Sequence, residues 1–192
     1  MNTIKSKLLL FTFSMLVFSC QEKKNKSDAS HNKTVDKNGR SEKYVVIDSP
    51  CELISIEEVK RMFAVEEYTI AMKDVVYTYP TCIFKWDDGK ITTSVSFGGQ
   101  EIKSTRPSEV LIVMIKKANA AMFKRSTSIY KEPQEISNIG TMAVWDARIS
   151  QLTFLSNKYM FHVHVKVTPN ATENKEKAIE VSEHIIKKMN KS

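Results

Sequence analysis

The side chains of this chain that could do chemistry are three cysteines (Cys20, Cys51, Cys82), two closely spaced histidines (His162, His164) and two adjacent aspartates (Asp87, Asp88). A thiol can attack a substrate, bind a metal or oxidise to a bridge, and its surroundings decide which. The chain has no Cys-x-x-Cys, and no histidine lies near Cys51 or Cys82 in sequence, which favours a structural bridge over a catalytic or metal-binding thiol. Histidines at i and i+2 of a strand share one face and can chelate a divalent metal, given a third ligand. Here Lys166 continues that face with a positive charge, so His162 and His164 read as the solvated or helix-covered side of a sheet. Asp87-Asp88-Gly89-Lys90 lies between two alternating runs and reads as a hairpin turn rather than an acid–base or metal pair. His31 falls in a polar tether and His184 at the boundary of a helix stripe. No catalytic residue, cofactor or metal site is expected, because Gly-x-Ser-x-Gly, His-Glu-x-x-His and a phosphate-cradling loop are all missing from the sequence.

The first residues have the parts of a secretory signal, with Lys5 and Lys7 ahead of the apolar run Leu8 to Phe18. As a helix that run would cover about 16 Å, roughly half of a ~30 Å hydrocarbon core, too short to span it. Val17-Phe18-Ser19-Cys20 resembles the bacterial lipobox, which implies cleavage before Cys20 and a diacylglycerol on its sulfur. The competing expectation is an ordinary cleaved signal with a cysteine behind it. Three cysteines in an exported chain leave one unpaired, and lipidation of Cys20 would leave Cys51 and Cys82 to pair. The resulting organisation is a signal peptide at 1–19, a lipid anchor and disordered tether at 20–43, and one domain at 44–192. Gln21, where some lipoproteins carry an inner-membrane retention acid, points to the outer membrane.

Formal charge is +7, but the excess does not belong to the expected domain. Residues 44–192 hold 20 basic against 18 acidic side chains. Such a balance offers no electrostatic footprint for a polyanion, so nucleic acid is excluded as a partner. Residues 21–43 hold almost nothing that can be buried, and as a flexible chain they would reach on the order of 25–30 Å.

The domain opens with Ser55-Ile56-Glu57-Glu58-Val59, a capping box with Ile54 and Val59 as a hydrophobic staple, which predicts a helix over 56–63. Strands are expected near 69–77, over 82–86 and over 91–97. Next, Val110 to Ile115 is apolar on every side, and with Pro107 as a first-turn residue it predicts a long helix over 107–125. That helix would be covered either by its own domain or by a partner. Further strands are expected over 142–148, 151–156 and 159–167, followed by a closing helix over 173–189 with the stripe Ala178, Val181, Ile185 and Met189. The order α-βββ-α-βββ-α predicts an α+β fold, an antiparallel sheet packed with helices. Trp86-Asp87 and Trp145-Asp146 hint at a doubled unit, and both tryptophans read as core anchors.

Cys51-Glu52-Leu53-Ile54, Glu57-Glu58-Val59, Cys82-Ile83-Phe84-Lys85-Trp86 and Ile139-Gly140-Thr141-Met142-Ala143-Val144-Trp145 together resemble a group of secreted bacterial lipoproteins with an uncharacterised domain. Asn138 stands where that group's second-half segment starts with glycine. The resemblance implies a disulfide-tied α+β sandwich of the PsbP/Mog1-like kind on a lipid anchor, and it brings no catalytic residues. Two functions follow as expectations. The first is a non-enzymatic binding module at the cell envelope, held to the membrane through Cys20 and presenting a sheet face or the 107–125 helix to an envelope protein, a toxin or a small ligand. The second is a hydrolase-like envelope enzyme with a dispersed site.

Overall fold

The computed structural model describes residues 46–191. The expected signal peptide, Cys20 and the tether to residue 43 lie outside the described residues. Along the chain come α1 (Ile56–Phe63), β1 (Ala71–Val76), β2 (Pro80–Phe97), β3 (Gln100–Ile115), α2 (Ala120–Thr127), β4 (Gln134–Glu135), β5 (Met142–Asp146), β6 (Gln151–Ser156), β7 (Tyr159–Lys166) and α3 (Ala171–Met189). The strands form one antiparallel sheet in the order β1-β2-β3-β7-β6-β5-β4, so the fold is α+β with seven strands and three helices.

Local sequence accounts for the first helix. The Ser55 hydroxyl accepts from the Glu58 amide and the Glu58 carboxylate accepts from the Ser55 amide, satisfying two otherwise unpaired donors at the start of α1. Ile54 and Val59 are both buried beside it, as a staple requires.

The register lines up the core in rows across the sheet. Cys82, Ile112, Val163, Leu152 and Trp145 are successive cross-strand partners, and so are Met114, Phe161, Phe154 and Ala143. Against this face pack Val59 and Phe63 of α1 and Ala178, Val181 and Ile185 of α3. The opposite face carries a smaller core under α2, where Phe123 and Ala118 meet Ile115, Leu155 and Met160. Trp86 and Trp145 are both buried on the main core face.

Two expectations from the sequence are corrected. The predicted 107–125 helix is strand up to Ile115, and the helix there is only Ala120–Thr127. The apolar run is a central strand, with Val110, Ile112 and Met114 fully buried on the main core face and Leu111 and Val113 half-buried on the other. A strand hydrogen-bonded on both edges and covered on both faces loses the polar–apolar alternation that identifies it, and its branched Val and Ile side chains suit the pleat.

Nor does the chain reverse at Asp87-Asp88-Gly89-Lys90. Pairing runs from Trp86↔Ser108 to Ile91↔Arg106, so four residues of β2 face Pro107 alone, and β2 continues to Phe97. The reversal comes at Gly98-Gly99, both at positive φ, as a two-residue hairpin turn demands.

Cys51 and Cys82 form a disulfide with Cα atoms 5.2 Å apart, tying the segment before α1 to β2 across a sequence separation of 31. Closing a loop of that length is worth about 3–4 kcal/mol on a chain-entropy account. Replacing both cysteines by alanine should lower the unfolding free energy by about that amount in urea titrations, with adding reductant to the native protein producing a similar loss.

Candidate functional site

The face of the sheet under α2 carries a connected set of polar side chains. Strand alternation aims Gln151 and Thr153 of β6 and His162 of β7 at that side, and α2 and the loop after it add Ser126 and Tyr130. The Tyr130 hydroxyl lies 2.6 Å from Thr153 Oγ1, and Thr153 Oγ1 lies 2.7 Å from His162 Nδ1. The Gln151 amide nitrogen donates to Tyr130 Oη at 2.6 Å and sits 3.3 Å from His162 Nδ1. His162 Nε2 faces Ser126 Oγ at 3.4 Å. Beside them an open cleft of about 440 Å³ is walled by Tyr79, Ile115, Met122 and Met160, with Arg125 at its rim.

A serine beside a histidine raises acyl transfer, which needs the imidazole to accept from the serine hydroxyl. The Gln151 amide nitrogen can only donate, so its 3.3 Å approach to Nδ1 makes that ring nitrogen the acceptor, while Tyr130 and Thr153 share a hydrogen bond that either hydroxyl can donate. The imidazole then carries its proton on Nε2 and donates towards Ser126, whereas a general base would have to accept there. No carboxylate stands behind Nδ1 to reverse that order. Burial pushes His162 down to about 4, keeping it neutral at physiological pH, and burial likewise raises Tyr130.

His164 takes a different place. Its Nδ1 lies 2.8 Å from the Ile149 carbonyl oxygen and its Nε2 3.8 Å from Glu109. The two histidines therefore share a face but not a ligand: His162 is covered by α2 and His164 faces solvent more. Among the described residues no group of three histidine, cysteine, aspartate or glutamate side chains is placed to hold a metal ion. His184 stands against Glu58, Nε2 to Oε1 3.3 Å, and Lys188 reaches the same carboxylate at 2.7 Å, so α3 clamps the cap of α1.

A second cleft, about 470 Å³, lies beside the β2 excursion between Phe63, Trp86, Asp88, Lys90, Glu173 and Lys177. Its main charges are already engaged. Asp88 accepts from the Trp86 indole at 2.9 Å, the Ser108 hydroxyl at 2.8 Å and the Lys90 amide at 3.2 Å. Burial alone would raise the Asp88 carboxyl, but those three donors hold it below the usual range. Lys177 donates to the Met62 carbonyl and pairs with Glu180.

The third feature is a projecting arm. β1 pairs β2 only over 80–85 and β7 pairs β3 only over 109–115, so from 91 to 106 the two long strands have only each other. Seven rungs carry the arm about 23 Å past the sheet. One arm face bears Val95 opposite Ile102, with Phe97 next along, and these are 64 %, 57 % and 77 % exposed. An isolated two-stranded ribbon is marginal in water, and this one leaves three large apolar side chains exposed on one face. Strand alternation puts Ile91, Val95 and Phe97 on one face, but only Ile91 is covered. Gly98-Gly99 was the signal that could have located the arm.

Compared with protein-family models, curated proteins and solved structures, the chain gives no match.

Two titrations lie on different pH windows. His162 binds a proton in the unfolded chain near pH 6.5 and in the folded protein only near 4, so its contribution is complete above pH 6.5 and is lost as pH falls towards 4. Burial tends to raise Glu58, but Lys188, the Ser55 amide and His184 bring it down to about 2, so that contribution is lost only below about pH 4.5. Urea titrations from pH 7 to 4 should show up to about 3 kcal/mol of loss in the native protein and a flatter profile in His162→Gln. An unchanged profile in that variant would refute the assignment.

Proposed function

We propose that this chain is a non-enzymatic interaction module of the bacterial cell envelope, anchored to the membrane through a lipid on Cys20 and docking protein through the 91–106 arm. The observation that carries this reading is the arm itself, with both edges unpaired among the described residues and one apolar face open. The Cys51–Cys82 bridge fits an oxidising compartment outside the cytoplasm. Helices on both faces of one antiparallel sheet fit a sandwich of the PsbP/Mog1-like kind.

The geometry also fits a tether from the amino terminus. Ile47 donates to the Tyr159 hydroxyl and Lys116 reaches Asp48 at 2.6 Å, so the domain is entered at the end where β3 finishes and β7 begins. The arm tip is at the other end of β3, about 50 Å away along the strand. The Ser126–His162 contact is what favours the alternative, a hydrolase-like enzyme, and its hydrogen-bond polarity opposes that reading.

Two measurements test the proposal. Cell fractionation should place the native chain with membranes and release Cys20→Ser, and mass spectrometry should find the acyl modification on residue 20. A photo-crosslinking amino acid at position 97 should capture a discrete protein band in the native envelope, and Val95→Asp with Ile102→Asp should abolish it. An acyl-free chain that yields no band from position 97 would overturn the proposal.

A further inference from the structure

We infer that the arm's β3 edge pairs with the same edge of a second copy, antiparallel about a twofold axis at Ile102. This rests on the arm being a docking surface, and it names the partner. The free segment of that edge, 100–106, reads Gln-Glu-Ile-Lys-Ser-Thr-Arg. In an antiparallel pair centred at Ile102, Glu101 of each copy stands opposite Lys103 of the other, and Ile102 stands opposite itself. Opposite charges directly across strands stabilise a pair and like charges destabilise it. Moving the centre by one residue sets Glu101 against Glu101 or Lys103 against Lys103.

The lengths agree with this register as well. Gly98 of one copy falls opposite Arg106 of the other, so the tip stops short of Glu109, where β7 takes over the edge. Pro107, which has no amide proton to donate, sits just past the last rung, a position where an added strand would have to end. Each copy's body then lies beyond the other's tip, and the two do not collide. The ribbon becomes four-stranded, with Val95, Ile102 and their two counterparts in one continuous apolar row, flanked by Phe97. Three or more strands with an apolar face are what such a ribbon needs for stability. The opposite face gains two Glu101–Lys103 pairs.

The test uses the chain from residue 20 with Cys20→Ser, studied by sedimentation equilibrium. The protein should be a dimer. Glu101→Lys and Lys103→Glu should each weaken dimerisation roughly tenfold or more, because each turns two attractive pairs into two repulsive ones. The double reversal should restore native affinity, since it recreates both pairs with signs exchanged. In cells, Ile102→Cys should give a covalent dimer on non-reducing gels and Ser94→Cys, on the other arm edge, should not. A monomer at every concentration, single reversals without effect, or crosslinking through Ser94 instead would each overturn the inference. A band of a different protein captured from position 97, without dimer, would sink the second copy as partner while leaving the docking role intact.

Discussion

The Asp88 carboxylate is what lets β2 outrun its neighbours. Four residues of β2 stand opposite one residue of β3, and their Asp-Gly composition would ordinarily turn the chain back. Asp88 instead accepts hydrogen bonds from the Trp86 indole on its own strand and the Ser108 hydroxyl on the next, while the Lys90 amide closes the excursion onto it. Trp86 is fixed in the main core and Ser108 is fully buried, so the loop is pinned to the sheet on both sides. The strand resumes at Ile91, whose side chain is buried, and runs on in the same direction.

Everything distinctive at the surface follows from the mismatch in strand length that results. A sheet of otherwise short strands holds one pair of 18 and 16 residues, and the surplus leaves the body of the domain at one end. That surplus carries unpaired backbone donors and acceptors along both edges, the feature soluble proteins usually blunt. Its β2 edge has no charge between Ile91 and Phe97, whereas its β3 edge carries Glu101, Lys103 and Arg106. The asymmetry separates the two edges: one is merely uncharged, and the other is self-complementary. At the opposite end, α3 clamps the cap of α1 through Glu58, and the disulfide fastens the entry segment to β2. The body of the domain is thus cross-linked at that end, and the arm projects from the other.

On the side of the sheet under α2, a serine and a histidine meet inside a network of polar side chains. The imidazole Nδ1 accepts from the Gln151 amide and lies 2.7 Å from Thr153 Oγ1, and burial opposes its charging. The chain of donors satisfies five polar side chains that would otherwise be costly so close to a core. Its effect is to hold α2 and the loop at Tyr130 onto β6 and β7.

Elements whose signals are local were legible in the chain: the capping box of α1, the strands β5 to β7 with the alternation of the last, and the stripe of α3 along Ala178, Val181 and Ile185. The bridge could be argued from the number and placement of cysteines alone. Val110 to Ile115 was misread because a strand covered on both faces has the same composition as a helix covered all round, and only its pairing with β2 and β7 distinguishes them. Asp87 to Lys90 was misread because turn propensity is a property of four residues, while the continuation of β2 depends on Ser108, twenty positions away. The polar set around His162 draws on α2, β6 and β7, which no spacing brings together. Sequence determined the fold class, the cross-link and most element boundaries, since those depend on neighbours along the chain. Tertiary structure decided where the long hairpin turns and which side chains it leaves bare, since both rest on contacts between residues far apart in the chain.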